Sequence, residues 1–175
     1  MYLADDWTDF RVIDAGDGEK LEQWGKYRLL RPDPQAIWHF RSEKSRITAD
    51  AHYHRSDKGG GHWENRNNIP EEWTVSWNEL RFRVKLMGFK HTGIFPEQAV
   101  NWKWMMELIK KSGRPINVLN LFAYTGAATA ACALAGATVC HVDASKGMVT
   151  WAKENVVSSG LGDRPVRYIV DDVVK

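Results

Sequence analysis

Apolar and charged residues alternate strictly over residues 80–86, LRFRVKL. Leu80, Phe82, Val84 and Leu86 share one face, and Arg81, Arg83 and Lys85 line the other. That is the period of a half-buried strand. Elsewhere in residues 1–90 the pattern is β-rich and turn-rich. Short apolar runs at residues 10–13, 27–30 and 36–40 are separated by DAGDGEK and RPDP, both of turn chemistry. The stretch 58–68, KGGGHWENRNN, has three consecutive glycines and no periodicity, and it reads as a loop.

From residue 96 the grammar changes. Pro96 suits the first turn of a helix, which runs through QAVNWKWMMELIKK to the break at Ser112 and Gly113. INVLNL (116–121) reads as a buried strand, and AATAACALA (127–135) as a helix stopped by Gly136. TVCHV (138–142) is a second strand. Ser145 caps a helix to about residue 159, and VRYIV (166–170) is a third strand. This alternation predicts an α/β fold: a parallel, doubly wound, Rossmann-like sheet over residues 91–175, preceded by a small β-rich domain over residues 1–90.

Composition adds limits. A hydrophobic share of 43% and a charged share of 26% are ordinary for a globular chain. No apolar run approaches the ~20 residues that cross a bilayer, and MYLADDWTDF lacks the apolar stretch of a secretory signal. The two cysteines lie in apolar segments, which favours a reducing compartment, the cytoplasm. A net charge of +2 does not announce nucleic-acid binding. Of nine Trp, eight precede residue 105; they suit the core of a small domain better than a base-stacking surface. The Arg81, Arg83 and Lys85 face is read as solvated or as a blunted edge ahead of a phosphate contact.

Ligands of such sheets bind where strands end and helices begin. Three strand ends are legible: Phe122-Ala123-Tyr124-Thr125-Gly126, Asp143-Ala144-Ser145, and Asp171-Asp172. A glycine turn followed about twenty residues later by an acid is the arrangement that holds a ribose. The loop has one glycine and a bulky Tyr124 where a dinucleotide needs GxGxxG, and no lysine follows it as a phosphate loop requires. A ribose-bearing cofactor without phosphates fits best, and a nicotinamide oxidoreductase is the weaker alternative.

NVLNLFAYTGAATAACALAGATVCHVDASKGMVTWAKENV resembles motifs I and II of class I S-adenosylmethionine (SAM) dependent methyltransferases, in the bacterial branch related to large-subunit ribosomal RNA methyltransferases. The upstream FKHTGIFPEQAVNW and GDGEKLEQWGKYRLLRPDPQAIW are similar to that branch too. The resemblance implies SAM as cofactor and RNA, ribosomal RNA above all, as substrate. It implies that Phe122, Ala123, Tyr124, Thr125 and Gly126 wrap the methionyl and ribose portion, Gly126 allowing close backbone approach. Asp143 would take the ribose hydroxyls, and Ala144 and Ser145 would sit beside the adenine. Asp172 would accept from the adenine amino group, with Asp171 as competitor, while Phe95 and Gln98 reach in from upstream. Singly, each residue has a plainer role: a tight turn at Gly126, helix capping by Asp143, solvated positions for Gln98 and the Asp pair.

The family's acceptor-facing Asp-Pro-Pro segment is absent, so no catalytic residue is assigned and the chain is expected to be an N-terminal part whose open sheet edge favours self-association. A non-catalytic SAM- or nucleic-acid-binding module stays as a further alternative. His52, His54 and His62 with Glu64 match no structural zinc spacing and are read as histidines of a mobile surface loop, with no metal assigned. Cys132 and Cys140 fall in core elements, a poor setting for a nucleophilic thiolate.

Overall fold

The computed structural model describes residues 3–42 and 46–174. The chain divides into two compact units. One comprises Trp7–Trp77 with Val84–Gly93, and the other comprises the residues up to Asp6, Asn78–Arg83 and everything from Ile94 onward.

The first unit is built on a five-stranded sheet in the order β1-β2-β3-β4-β5. Its strands are β1 (Phe10–Gly16), β2 (Glu19–Trp24), β3 (Tyr27–Pro32), β4 (Ala51–Arg55) and β5 (Gly61–Asn65), and a further strand, β6 (Trp73–Trp77), lies outside this sheet. All neighbours are antiparallel except β3 and β4, which pair in parallel. Leu21, Trp24, Leu29, Leu30 and Ala51 are buried at 1% exposure or less, so Trp24 serves the core as expected. Burial alone raises the Glu22 carboxyl's pKa. Arg31, donating from Nε at 2.6 Å and from Nη2 at 3.0 Å, outweighs that and holds it below the usual carboxylate range. Trp24 Nε1 donates to the same carboxylate at 3.0 Å.

Three segments of this unit differ from expectation. EKLEQW forms β2 although no alternation marks it, because buried Leu21 is followed by the equally buried Glu22. The run 36–40 is no strand. Ile37 is 87% exposed, and the segment crosses the β1–β2 turn, where Trp38 Nε1 donates to the Ala15 carbonyl at 2.7 Å. The expected loop 58–68 is half strand, since β5 returns along β4 through a tight turn in which Gly59 and Gly60 take positive φ.

The second unit carries the expected α/β alternation. After a single 3-10 turn at Pro96–Gln98 come α1 (Ala99–Lys111), β8 (Asn117–Leu121), α2 (Ala127–Leu134), β9 (Thr138–Asp143), α3 (Lys146–Ser158) and β10 (Val166–Val170). The Ser145 hydroxyl accepts from Met148 N at the head of α3, as an N-cap should. The strands pair in parallel in the order β10-β9-β8. Strands that advance in one direction through right-handed crossovers carry their helices on one face. That leaves the other face of β8 open: Leu119 is 64% and Leu121 is 41% exposed, where the sequence had implied a strand buried on both sides.

Residues of β7 (Leu80–Val84) run along α3. Leu80, Phe82 and Val84 are fully buried, as the alternation predicts. On the polar side, Arg83 Nη1 lies 2.8 Å from Glu154 Oε2, a neutralised and partly solvated cation. Among the described residues, no helix is long and apolar enough to cross a membrane.

Candidate functional site

The β8–α2 loop has an unusual backbone. Phe122, Tyr124 and Gly126 all take positive φ, at 52°, 51° and 81°, so every second residue of the turn is left-handed. Such conformations cost non-glycine residues free energy and persist only where surroundings enforce them. Gly126 has a second reason to be glycine. A Cβ there would stand 2.7 Å from the Ala152 Cβ of α3, so the close approach is to a helix of the protein itself.

Asp143, the last residue of β9, fastens this loop. Its Oδ2 accepts from Tyr124 N and its Oδ1 accepts from Ser145 N, both at 2.9 Å. Ala123 N donates to the Val142 carbonyl at 3.0 Å, and Asp171 N to the Asp143 carbonyl at 3.1 Å, so backbone bonds link all three strand ends. The carboxylate therefore stands next to the glycine turn.

A cleft of about 270 Å³ opens beside the loop. Phe95, Gln98 and all five residues from Phe122 to Gly126 line it. The Phe95 and Tyr124 rings lie 5.4 Å apart at 37°, and Gln98 Oε1 accepts from Asn101 at 2.8 Å. Asp143, half-buried, sits outside the lining behind Tyr124, and so do Ala144 and Ser145, exposed at the head of α3. Asp171 and Asp172 also lie outside it. Asp171 is exposed and Asp172 half-buried; Asp171 Oδ1 accepts from Asp172 N at 2.8 Å, and Asp172 Oδ1 from Val174 N at 3.1 Å.

Residues that sequence reasoning passed over also shape the site. Ile94, Trp102 and Asn120 line the cleft. Asn120 Nδ2 donates to Thr129 Oγ1 at 2.9 Å, and that hydroxyl lies 2.9 Å from His141 Nδ1. The hydroxyl thus links the Asn120 amide to the buried imidazole. Burial pushes the His141 pKa down and keeps the ring neutral. Asn155, fully buried on α3, donates from Nδ2 to the Thr125 carbonyl at 2.8 Å and accepts from Arg83 N at 2.9 Å. An asparagine inside an apolar strand was a visible signal for Asn120; nothing in the α3 sequence marked Asn155. Cys132 is buried, which lifts its thiol to about 11 and leaves almost no thiolate near neutral pH. Cys140 is half-buried.

Residues 28–175 match the family model described as S-adenosylmethionine-dependent methyltransferase. The chain belongs to this methyltransferase family. The membership displaces the nicotinamide alternative. Among curated relatives of this methyltransferase chain, the ribosomal RNA large subunit methyltransferase K/L of Shewanella frigidimarina is 36% identical over 96 residues, 54% of this chain and 13% of that protein. A solved SAM-dependent methyltransferase from Agrobacterium tumefaciens superposes with a TM-score of 0.91 at 43% identity, over 95% of this chain and 53% of that one. A Streptococcus mutans structure, with a TM-score of 0.72 at 21% identity over 97% of this chain and 48% of that one, shares the fold. The chain thus spans about half of that Agrobacterium protein and a smaller part of the curated relative.

Proposed function

We propose that SAM lies across the β8 and β9 strand ends, between the cleft beside the Phe122–Gly126 loop and the neighbouring Asp143 carboxylate, and that the protein carrying this chain transfers the cofactor's methyl group to RNA, with ribosomal RNA as acceptor. The observation that carries the proposal is the Asp143 carboxylate, clamped by two backbone N–H groups beside a loop of alternating left-handed residues. A carboxylate offers about four acceptor positions. With two taken by Tyr124 N and Ser145 N, two remain for a vicinal diol, and their direction is fixed before the ligand arrives. The donor set also fits by what it lacks: the loop has neither the glycines nor the lysine that a pyrophosphate demands.

When bound, the cofactor supplies a methyl group already activated on a sulfonium sulfur, so the protein's task is alignment and exclusion of water. Asp143 orients the ribose and the Phe122–Gly126 loop lies along the methionyl side. Phe95 and Gln98 close the cleft from the 3-10 turn. Ala144 and Ser145 flank the adenine, and half-buried Asp172 receives its amino group in preference to exposed Asp171. No residue of this chain is assigned to the acceptor. RNA as substrate draws support from the names of the Shewanella relatives, and such an acceptor implies action in the cytoplasm.

Calorimetric titration with S-adenosylhomocysteine tests the cofactor reading. Each charge-assisted hydrogen bond lost contributes about 1.5–3 kcal/mol. Asp143→Ala removes both bonds to the diol and is therefore expected to weaken binding by roughly a hundred-fold or more, and unchanged affinity would remove the proposal's footing. Transfer of labelled methyl to unmethylated ribosomal RNA by the complete protein tests the second half; binding without transfer would leave a SAM-binding module instead.

A further inference from the structure

We infer that the β4–β5 hairpin carries a site for a divalent transition ion of the zinc class, formed by His52, His54 and Glu64. Strand alternation sends Ala51 and Tyr53 into the core and His52 and His54 to the opposite face of β4. Across the ladder His52 pairs with Glu64 and His54 with His62, so the two histidines and the carboxylate share that face. One ligand atom from each of His52, His54 and Glu64 lies within 4.8 Å of the other two. A tetrahedral zinc ion with ligands at its usual bond lengths needs separations of about 3.4 Å, so side-chain adjustments of about an ångström close the set. Two imidazole nitrogens and one carboxylate oxygen suit zinc, nickel or copper and discriminate against magnesium, which takes oxygen donors.

The surroundings are those of a ligand set. His52 Nε2 lies 2.5 Å from Glu19 Oε1, a carboxylate behind the ring of the kind that orients metal-binding imidazoles. With the Nε2 proton donated to Glu19, the Nδ1 lone pair faces Arg66, whose Nη2 stands 3.3 Å away. The same Nη2 lies 2.8 Å from Glu64 Oε2, and His54 Nε2 lies 3.0 Å from that oxygen. The guanidinium nitrogen thus stands between His52 Nδ1 and Glu64 Oε2, two of the three donor atoms. A metal ion would take its place, and Arg66 would swing outward. His62 stacks on the His54 ring at 5.3 Å and stays outside the set, which leaves at least one position open to water or an anionic ligand.

The test is titration of tag-free, EDTA-stripped protein with Zn²⁺, with Mg²⁺ as control and Co²⁺ absorption as a direct report on coordination. The expected result is one Zn²⁺ per chain and no Mg²⁺. Affinity should fall at least ten-fold in both His54→Ala and Glu64→Gln. Both side chains are substantially exposed, so the fold tolerates these changes, and unchanged circular dichroism verifies it. Arg66→Gln is expected to tighten Zn²⁺ binding several-fold by removing the competing cation, which a purely structural ion-pair network would not do. Absence of stoichiometric Zn²⁺, equal affinity in His54→Ala, or weaker binding in Arg66→Gln would each overturn the assignment.

Discussion

Replacing Gly126 by alanine tests how tightly the strand-end loop is built. Two independent costs arise. At a φ of 81° an L-residue pays for left-handed backbone, about 1–2 kcal/mol. The new methyl would also stand 2.7 Å from the Ala152 Cβ and 3.0 Å from its Cα, an overpacking that costs about 1–3 kcal/mol. Together the change should destabilise the chain by about 2–5 kcal/mol, a large fraction of the ~5–15 kcal/mol that holds a domain together. Urea unfolding followed by tryptophan fluorescence measures it. Ala152→Gly separates the two costs, because it removes the opposing methyl while leaving the backbone cost intact. Alone it should cost about 1 kcal/mol of helix propensity. In the double variant the 2.7 Å clash vanishes and only the 3.0 Å approach to the Cα remains, so the double-mutant cycle should show a favourable coupling of up to about 1–3 kcal/mol. A cycle additive to within about 0.5 kcal/mol, or a single-variant cost below about 1 kcal/mol, would refute the account of why glycine stands there.

Two more predictions concern the sheet and its buried histidine. With Leu119 and Leu121 exposed on edge strand β8, the isolated chain should self-associate with rising concentration in sedimentation velocity, and Leu119→Glu with Leu121→Glu should return it to monomer; a wild-type chain monomeric at every concentration would sink this. Burial lowers the pKa of His141 and of His52 in the folded protein, so the unfolded chain takes up protons first as pH falls. Metal-free protein should therefore keep full stability above the ordinary histidine value near 6.5, and its urea midpoint should drop as pH falls from there toward the lowered folded values. His141→Gln should flatten part of that drop, and an unaltered pH profile would refute its buried, neutral state.

How much was legible in the sequence depended on whether a segment answers to one constraint or several. The strands and helices after residue 96 follow local periodicity and end at Gly136, Ser145 and Gly160, so their limits were visible. The joint spacing of the Phe122–Gly126 turn and Asp143 was visible for the same reason: it is fixed by one β-α-β unit. β2 was hidden because its buried Glu22 is matched by Arg31 on the next strand, a pairing no single-segment pattern reveals. The 36–40 run misled in the opposite sense, since apolar Ile37 and Trp38 stay exposed while backbone bonds to the β1–β2 turn decide their path. β5 was hidden by composition. Three glycines and a polar run suggest a loop until β4 is there to pair with, and only that pairing aligns His52 with Glu64.

The loop at the strand ends raises the question of what holds two non-glycine residues in left-handed backbone. Strain of that kind costs about 1–3 kcal/mol per residue, and no single bond in the turn offsets it. Asp143 fixes Tyr124 N from one side. From the other, Asn155 Nδ2 donates to the Thr125 carbonyl, and Oδ1 of the same side chain accepts from Arg83 N of β7. Trp151, one turn earlier on α3, donates to the Arg83 carbonyl at 3.0 Å, and the Ser158 and Ser159 hydroxyls donate to the Arg81 carbonyl. α3 is thus braced along its length by β7 before it presents Ala152 and Asn155 to the loop. The strained geometry survives because a rigid helix and a clamped carboxylate determine it from both sides. For the same reason the Asp143 carboxylate is held in place before any ligand arrives: the acceptor directions it offers, on the proposed reading to a ribose, are set by folding.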